Sequence, residues 1–172
     1  MKFYFKKILF QEGWKKNVKI STDSNGEITE IIENFEGKDC ETEVQLAIPG
    51  IPNAHSHAFQ YAMAGITENH SESRSSNFWT WRNEMYNLAL NIDPDSLQVI
   101  ATMLYSEMLK NGYTSVAEFH YLHHEKDGSK YSNVCELGER LLIAAKEVGI
   151  NITLVPIFYN RGGFQRKHDA EQ

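Results

Sequence analysis

The chain has 172 residues, 41% of them hydrophobic and 23% charged, a balance with enough apolar side chains for a core, and it has no run of 18 apolar residues to span a membrane. A formal net charge of −6 argues against nucleic acid as a partner. Two cysteines, Cys40 and Cys135, suit a reducing compartment and make no disulfide framework, and the opening MKFYFKKILFQEGWKK lacks the unbroken apolar core and cleavage site of a signal peptide, so a cytoplasmic location is expected.

Residues 1–47 read as short strands. Lys2–Phe10 carries Phe3, Phe5, Ile8, Leu9 and Phe10, and Asn17–Ile20 alternates polar with apolar. Asp23-Ser24-Asn25-Gly26 is a turn, because Asn-Gly accepts positive φ and joins antiparallel strands. Glu27–Phe35 is then the returning strand of a small antiparallel sheet. The apolar run Leu46-Ala47-Ile48 is expected to be a buried strand that feeds, through Pro49, Gly50 and Pro52, into His55-Ser56-His57. Ala58–Ile66 follows as a helical turn or loop, and Thr67–Asn77 as an exposed loop in which His70 is solvated.

Phe78–Leu90 is predicted helical; Trp79 and Trp81 are two positions apart and cannot share a face, so one is expected in the core and the other on a pocket wall. A clearer helix begins at Asp93, a good N-cap, with Pro94 in its first turn. Leu97, Ile100, Ala101, Leu104 and Met108 keep helical spacing, and Asn111-Gly112 ends it. Thr114–Phe119 is a strand, Tyr121–Tyr131 a loop, Glu136–Val148 a helix stopped by Gly149, and Ile152–Tyr159 a third strand. Alternating strands and helices predict a parallel α/β sheet.

In an extended run side chains alternate, so His55 and His57 face the same way and Ser56 the other. Two imidazoles on one face supply half of a zinc or iron site. His120, His123 and His124 are a rival cluster, expected to shape a pocket or face solvent rather than bind metal. Glu118, on the second parallel strand, is expected to be structural.

Three separated words carry a resemblance: IPGIPNAHSHAFQ from Ile48 to Gln60, FWTWR from Phe78 to Arg82, and TSVAEFHYLHH from Thr114 to His124. Together they resemble the formimidoylglutamate deiminases of the amidohydrolase superfamily. The resemblance implies a metal-dependent hydrolase acting on a C–N bond, converting N-formimino-L-glutamate to N-formyl-L-glutamate and ammonia in histidine degradation. It implies the N-terminal part of a (β/α)8 barrel, about three βα units, over residues 48–172, preceded by part of a β-sandwich over residues 1–47. It implies His55 and His57 as ligands of one Zn²⁺ or Fe²⁺ per complete site, and Gln60, Arg82 and Tyr121 as substrate-binding residues. Arg82 suits a carboxylate through paired hydrogen bonds, Tyr121 donates one more, and Gln60 offers donor and acceptor to a formimino group.

A whole barrel needs roughly 250 residues. Residues 48–172 hold about three βα units, so the expectation is the N-terminal part of a larger enzyme, a homodimer at full length, with its acid/base group beyond Gln172 and no activity by itself. Rival readings are another deaminase of the superfamily, acting on a nucleobase or guanidino compound, and a metal-free interaction module.

Overall fold

A computed structural model describes residues 1–37, 39–66 and 78–158. It divides into two compact units, Met1–Gly50 and a second that opens at Ile51.

The first unit is a four-stranded sheet ordered β3-β2-β1-β4. Strands β1 (Lys2–Phe10) and β2 (Gly13–Thr22) form an antiparallel hairpin whose tight return uses Gly13 at φ +112°. The next turn is the expected one: the Asp23 carboxylate accepts from the Asn25 and Glu27 amides at 2.8 and 2.9 Å, and Gly26 sits at φ +84°. β3 spans only Ile28–Ile32, shorter than the predicted 27–35. Asn34 turns to φ +53°, and the Phe35 amide leaves the ladder for the Asn17 carbonyl at 2.7 Å. β4 (Thr42–Val44) lies parallel to β1, so the sheet is antiparallel except at this edge. Val18 and Ile20 are its buried residues, whereas Ile28 and Ile31 stay 60% and 47% exposed.

Leu46-Ala47-Ile48 is not the buried strand its composition suggests. Ala47 pairs with Ile8 on β1, and Leu46 and Ile48 are exposed. The strand that leads into the histidines, β5, starts at Ile51 and ends at Ser56.

In the second unit β5, β6 (Tyr113–His120) and β7 (Asn151–Pro156) form a parallel sheet in that order. A 3-10 turn (Ala58–Met63), α1 (Phe78–Ala89) and α2 (Pro94–Lys110) lie between β5 and β6, and α3 (Glu136–Val148) lies between β6 and β7. This is the strand–helix repeat of a (β/α)8 barrel. The Asp93 carboxylate caps α2 by accepting from the Ser96 amide at 2.8 Å, and Gly149 ends α3 at φ +87°. Leu97, Ala101 and Tyr105 of α2 are buried with Leu141, Ala144 and Ala145 of α3 and Val116 of β6. Among the described residues no helix is long and apolar enough to cross a membrane.

One buried group ties this core to pH. His120, at the end of β6, is 6% exposed; burial, with His123 beside it, pushes its imidazole down to about 4 from 6.5. Between those values the unfolded chain takes up a proton that the folded chain refuses, so stability falls as pH drops from 6.5 toward 4. Urea titrations across that window should show this loss, and His120→Leu should flatten it; an unchanged pH dependence in the variant removes His120 as the cause.

Candidate active site

The end of β5 presents the two histidines as their spacing requires. Ser56 turns inward and is 7% exposed, while the rings of His55 and His57 converge until their Nε2 atoms stand 3.0 Å apart. His55 lies against the Phe119 ring, with centroids 4.3 Å apart. The Nδ1 of His57 is 2.9 Å from the Phe119 carbonyl on β6. A carbonyl only accepts, so Nδ1 carries the hydrogen and the Nε2 lone pair points toward His55.

That arrangement fits a metal ion on chemical grounds. Two nitrogens bound at 2.0–2.1 Å to one tetrahedral ion sit about 3.3 Å apart, close to the pair seen here. A ligating imidazole also ordinarily donates its other N–H to a carbonyl or carboxylate, as His57 does. Among the described residues no group of three or more His, Cys, Asp or Glu surrounds a common point.

Behind the pair, Glu118 is 2% exposed and accepts from the Ala58 amide at 2.6 Å. Burial pushes its carboxyl up, opposed by that amide, by the Ser56 and Tyr105 hydroxyls and by His57. The Tyr105 hydroxyl and Glu118 Oε2 are both buried without a hydrogen bond of normal geometry. Burial, followed by the nearby Glu118 charge, pushes the Tyr105 hydroxyl up. Sequence reading placed Glu118 in a structural role but gave it no partner, since Ala58 is 60 positions away.

Gln60 and Tyr121 meet beside the histidines. The Gln60 amide donates to the Tyr121 hydroxyl at 3.0 Å, and the Tyr121 ring packs edge-on to His57 with centroids 5.1 Å apart. The Tyr121 hydroxyl in turn faces the Met85 sulfur at 3.6 Å. Arg82, on α1, hydrogen-bonds the Tyr86 hydroxyl through Nη2 at 2.8 Å and Nε at 3.2 Å. Its guanidinium lies 4.9 Å over the Tyr86 ring.

A cavity of about 730 Å³ opens along the ends of the parallel strands. Its wall includes His55, His57, Met85, Tyr86, Tyr121 and His123. Arg82 does not itself line the cavity; it stands behind Tyr86, which does. Tyr86 was not singled out from sequence, although its place one helical turn after Arg82 was a usable signal. Neither tryptophan is core: Trp79 is 62% and Trp81 36% exposed, because the buried side of α1 is set by Met85. His120 stacks edge-on to His123, whose Nε2 meets the Ile157 carbonyl at 3.0 Å, so that pair braces the ends of β6 and β7. His124 and the Glu125–Gly128 loop complete the rim, and His70 and Tyr159, the predicted end of the third parallel strand, lie outside the described residues.

Parallel strands with helical crossovers, and a histidine pair at the end of the first, define a class. The chain belongs to the amidohydrolase family, whose model matches residues 46–171. Within that family it is similar to formimidoylglutamate deiminase of Pseudomonas aeruginosa, 44% identical over 161 residues, which cover 94% of this chain and 35% of that protein. A crystal structure described as an amidohydrolase from Brucella melitensis superposes with a TM-score of 0.90 at 37% identity, covering 99% of this chain and 38% of that one. Atrazine chlorohydrolase from Arthrobacter aurescens, solved with zinc, superposes with a TM-score of 0.68 at 17% identity over 90% of this chain and 35% of its own, a likeness of fold. The chain thus spans a little over a third of the length of these relatives.

Proposed function

We propose that this chain forms the opening part of a metal-dependent, cytoplasmic hydrolase that converts N-formimino-L-glutamate and water to N-formyl-L-glutamate and ammonia. The observation that carries the reading is the convergence of the His55 and His57 Nε2 atoms in one cavity wall with Tyr121, whose hydroxyl accepts from the Gln60 amide. The 44% identity to a formimidoylglutamate deiminase supports the choice of substrate.

His55 and His57 would hold the metal through Nε2, and Zn²⁺ or Fe²⁺, when bound, would supply hydroxide at neutral pH by lowering the pKa of a water toward about 7. The Phe119 carbonyl keeps His57 in the tautomer that exposes Nε2. The Gln60 carbonyl oxygen suits the N–H of the formimino group. Tyr121 accepts from Gln60 and turns its own proton toward the Met85 sulfur, a weak acceptor that a substrate carboxylate would replace. Arg82 and Tyr121 read the carboxylate end of the substrate, with Tyr86 fixing the Arg82 guanidinium. Water adds to the formimino carbon, the bond from that carbon to the terminal nitrogen breaks, and the nitrogen leaves as ammonia. No described residue is assigned the proton delivered to it.

The full-length enzyme, loaded with Zn²⁺, should release ammonia and N-formyl-L-glutamate from N-formimino-L-glutamate, with guanine and guanidino compounds turned over far more slowly. Preference for guanine or a guanidino compound would replace this reading by another deaminase of the family, and absence of bound metal would remove it.

A further inference from the structure

The 3-10 turn that follows β5 begins without help from its own residues: His57, at its N-cap, makes no side-chain capping bond. Its first amide, Ala58 N–H, is one of the donors that a helical segment leaves unpaired at its start. The partner comes from the neighbouring strand, where Glu118 Oε1 accepts it at 2.6 Å from a position 2% exposed. A carboxyl so deep in the protein persists only when its hydrogen bonds compensate for lost water. The next residue of β6 acts on the next residue back along the chain: the Phe119 carbonyl takes the Nδ1 hydrogen of His57. Two consecutive residues of β6 therefore grip two consecutive residues beyond β5.

We propose that Glu118 is a positioning residue for His57: by holding the Ala58 amide it fixes the peptide between His57 and Ala58, so that Nδ1 reaches the Phe119 carbonyl and Nε2 stays unprotonated and aimed at His55. The inference rests on the reading of His57 as a metal ligand. It assigns Glu118 no contact with substrate. A Glu118 that merely filled space would give stability alone, and any side chain of its volume would serve.

The full-length enzyme separates the two. In the metal-free wild type, nitrogen NMR of labelled histidine should find His57 in the Nδ1–H form, and the Ala58 amide should exchange slowly. Glu118→Met keeps the volume and removes the acceptor; both signatures should be lost while the circular dichroism spectrum is kept. Zn²⁺ affinity, measured by chelator competition, should weaken about 10–100-fold, the usual cost of losing an outer-shell partner. Glu118→Gln retains an acceptor oxygen and should restore the tautomer, the slow exchange and the affinity. Should the methionine variant not fold, Glu118→Asp, whose shorter arm leaves the Ala58 amide unmet, must show the same joint loss. An unprotected Ala58 amide in the wild type overturns the proposal outright. So does a folded Met or Asp variant that binds Zn²⁺ within twofold of wild type, or a Gln variant as damaged as Met. A wild-type enzyme that binds no Zn²⁺ at all overturns the reading of the histidine pair instead.

Discussion

Replacing His55 by alanine in the full-length enzyme removes bound metal and hydrolysis together. The two Nε2 atoms stand 3.0 Å apart, so on the proposed reading the loss of either removes one of the two nitrogen donors on β5 and its end. A water with its pKa near 7 is about half hydroxide at neutral pH, whereas bulk water, near 15.7, holds roughly eight orders of magnitude less. Activity should therefore fall below detection rather than decline by a modest factor. His57→Ala should act at least as strongly, since it also leaves the Phe119 carbonyl without its donor. Metal analysis by mass spectrometry beside an ammonia assay provides the check. If His55→Ala keeps a full equivalent of metal, the pair is not the centre, whatever happens to the rate.

Arg82→Met separates substrate reading from chemistry. Loss of a buried, charged hydrogen bond to a ligand costs on the order of 2–5 kcal/mol, at least a thirtyfold fall in kcat/KM on N-formimino-L-glutamate. A neutral formamidine without carboxylates should be little affected. The structure adds a second route to damage, because Arg82 also holds the Tyr86 hydroxyl and covers that ring in the cavity wall. Tyr86→Phe isolates that contribution: it removes the hydroxyl that Arg82 bonds and keeps the ring and the Arg82 charge, and should cost less than Arg82→Met. Equal losses on both substrates, or none on either, would mean that Arg82 does not read the carboxylate, and the glutamate-derived substrate would lose its main residue-level support.

What could be read from sequence was local. The bounds of α2 and α3 follow from a cap, a proline and two glycines, signals that act over a single turn. The shared face of His55 and His57 follows from strand period alone. What could not be read was which neighbour a segment chooses. Leu46-Ala47-Ile48 has the composition of a buried strand, but Ala47 joins the edge of β1, and with Pro49 and Gly50 next the run does not extend into β5. Trp79 and Trp81 carry large apolar surface, but Met85 takes the inward side of α1. The role of Glu118 depends on an amide 60 positions away, a distance that no window on the chain detects.

The tie between His57 and Phe119 joins residues 62 positions apart, and this sets a clock on synthesis. A ribosome adding 5–20 residues per second needs roughly 3–12 s to travel from one to the other. During that interval both histidines are already made, neighbours in a nascent chain, with nothing to choose between their ring nitrogens. The contact that favours Nδ1–H on His57 forms only when β6 docks on β5. On the proposed reading of the pair as metal ligands, strand pairing would come before productive metal uptake, and the His57 tautomer would be set before any ion is needed.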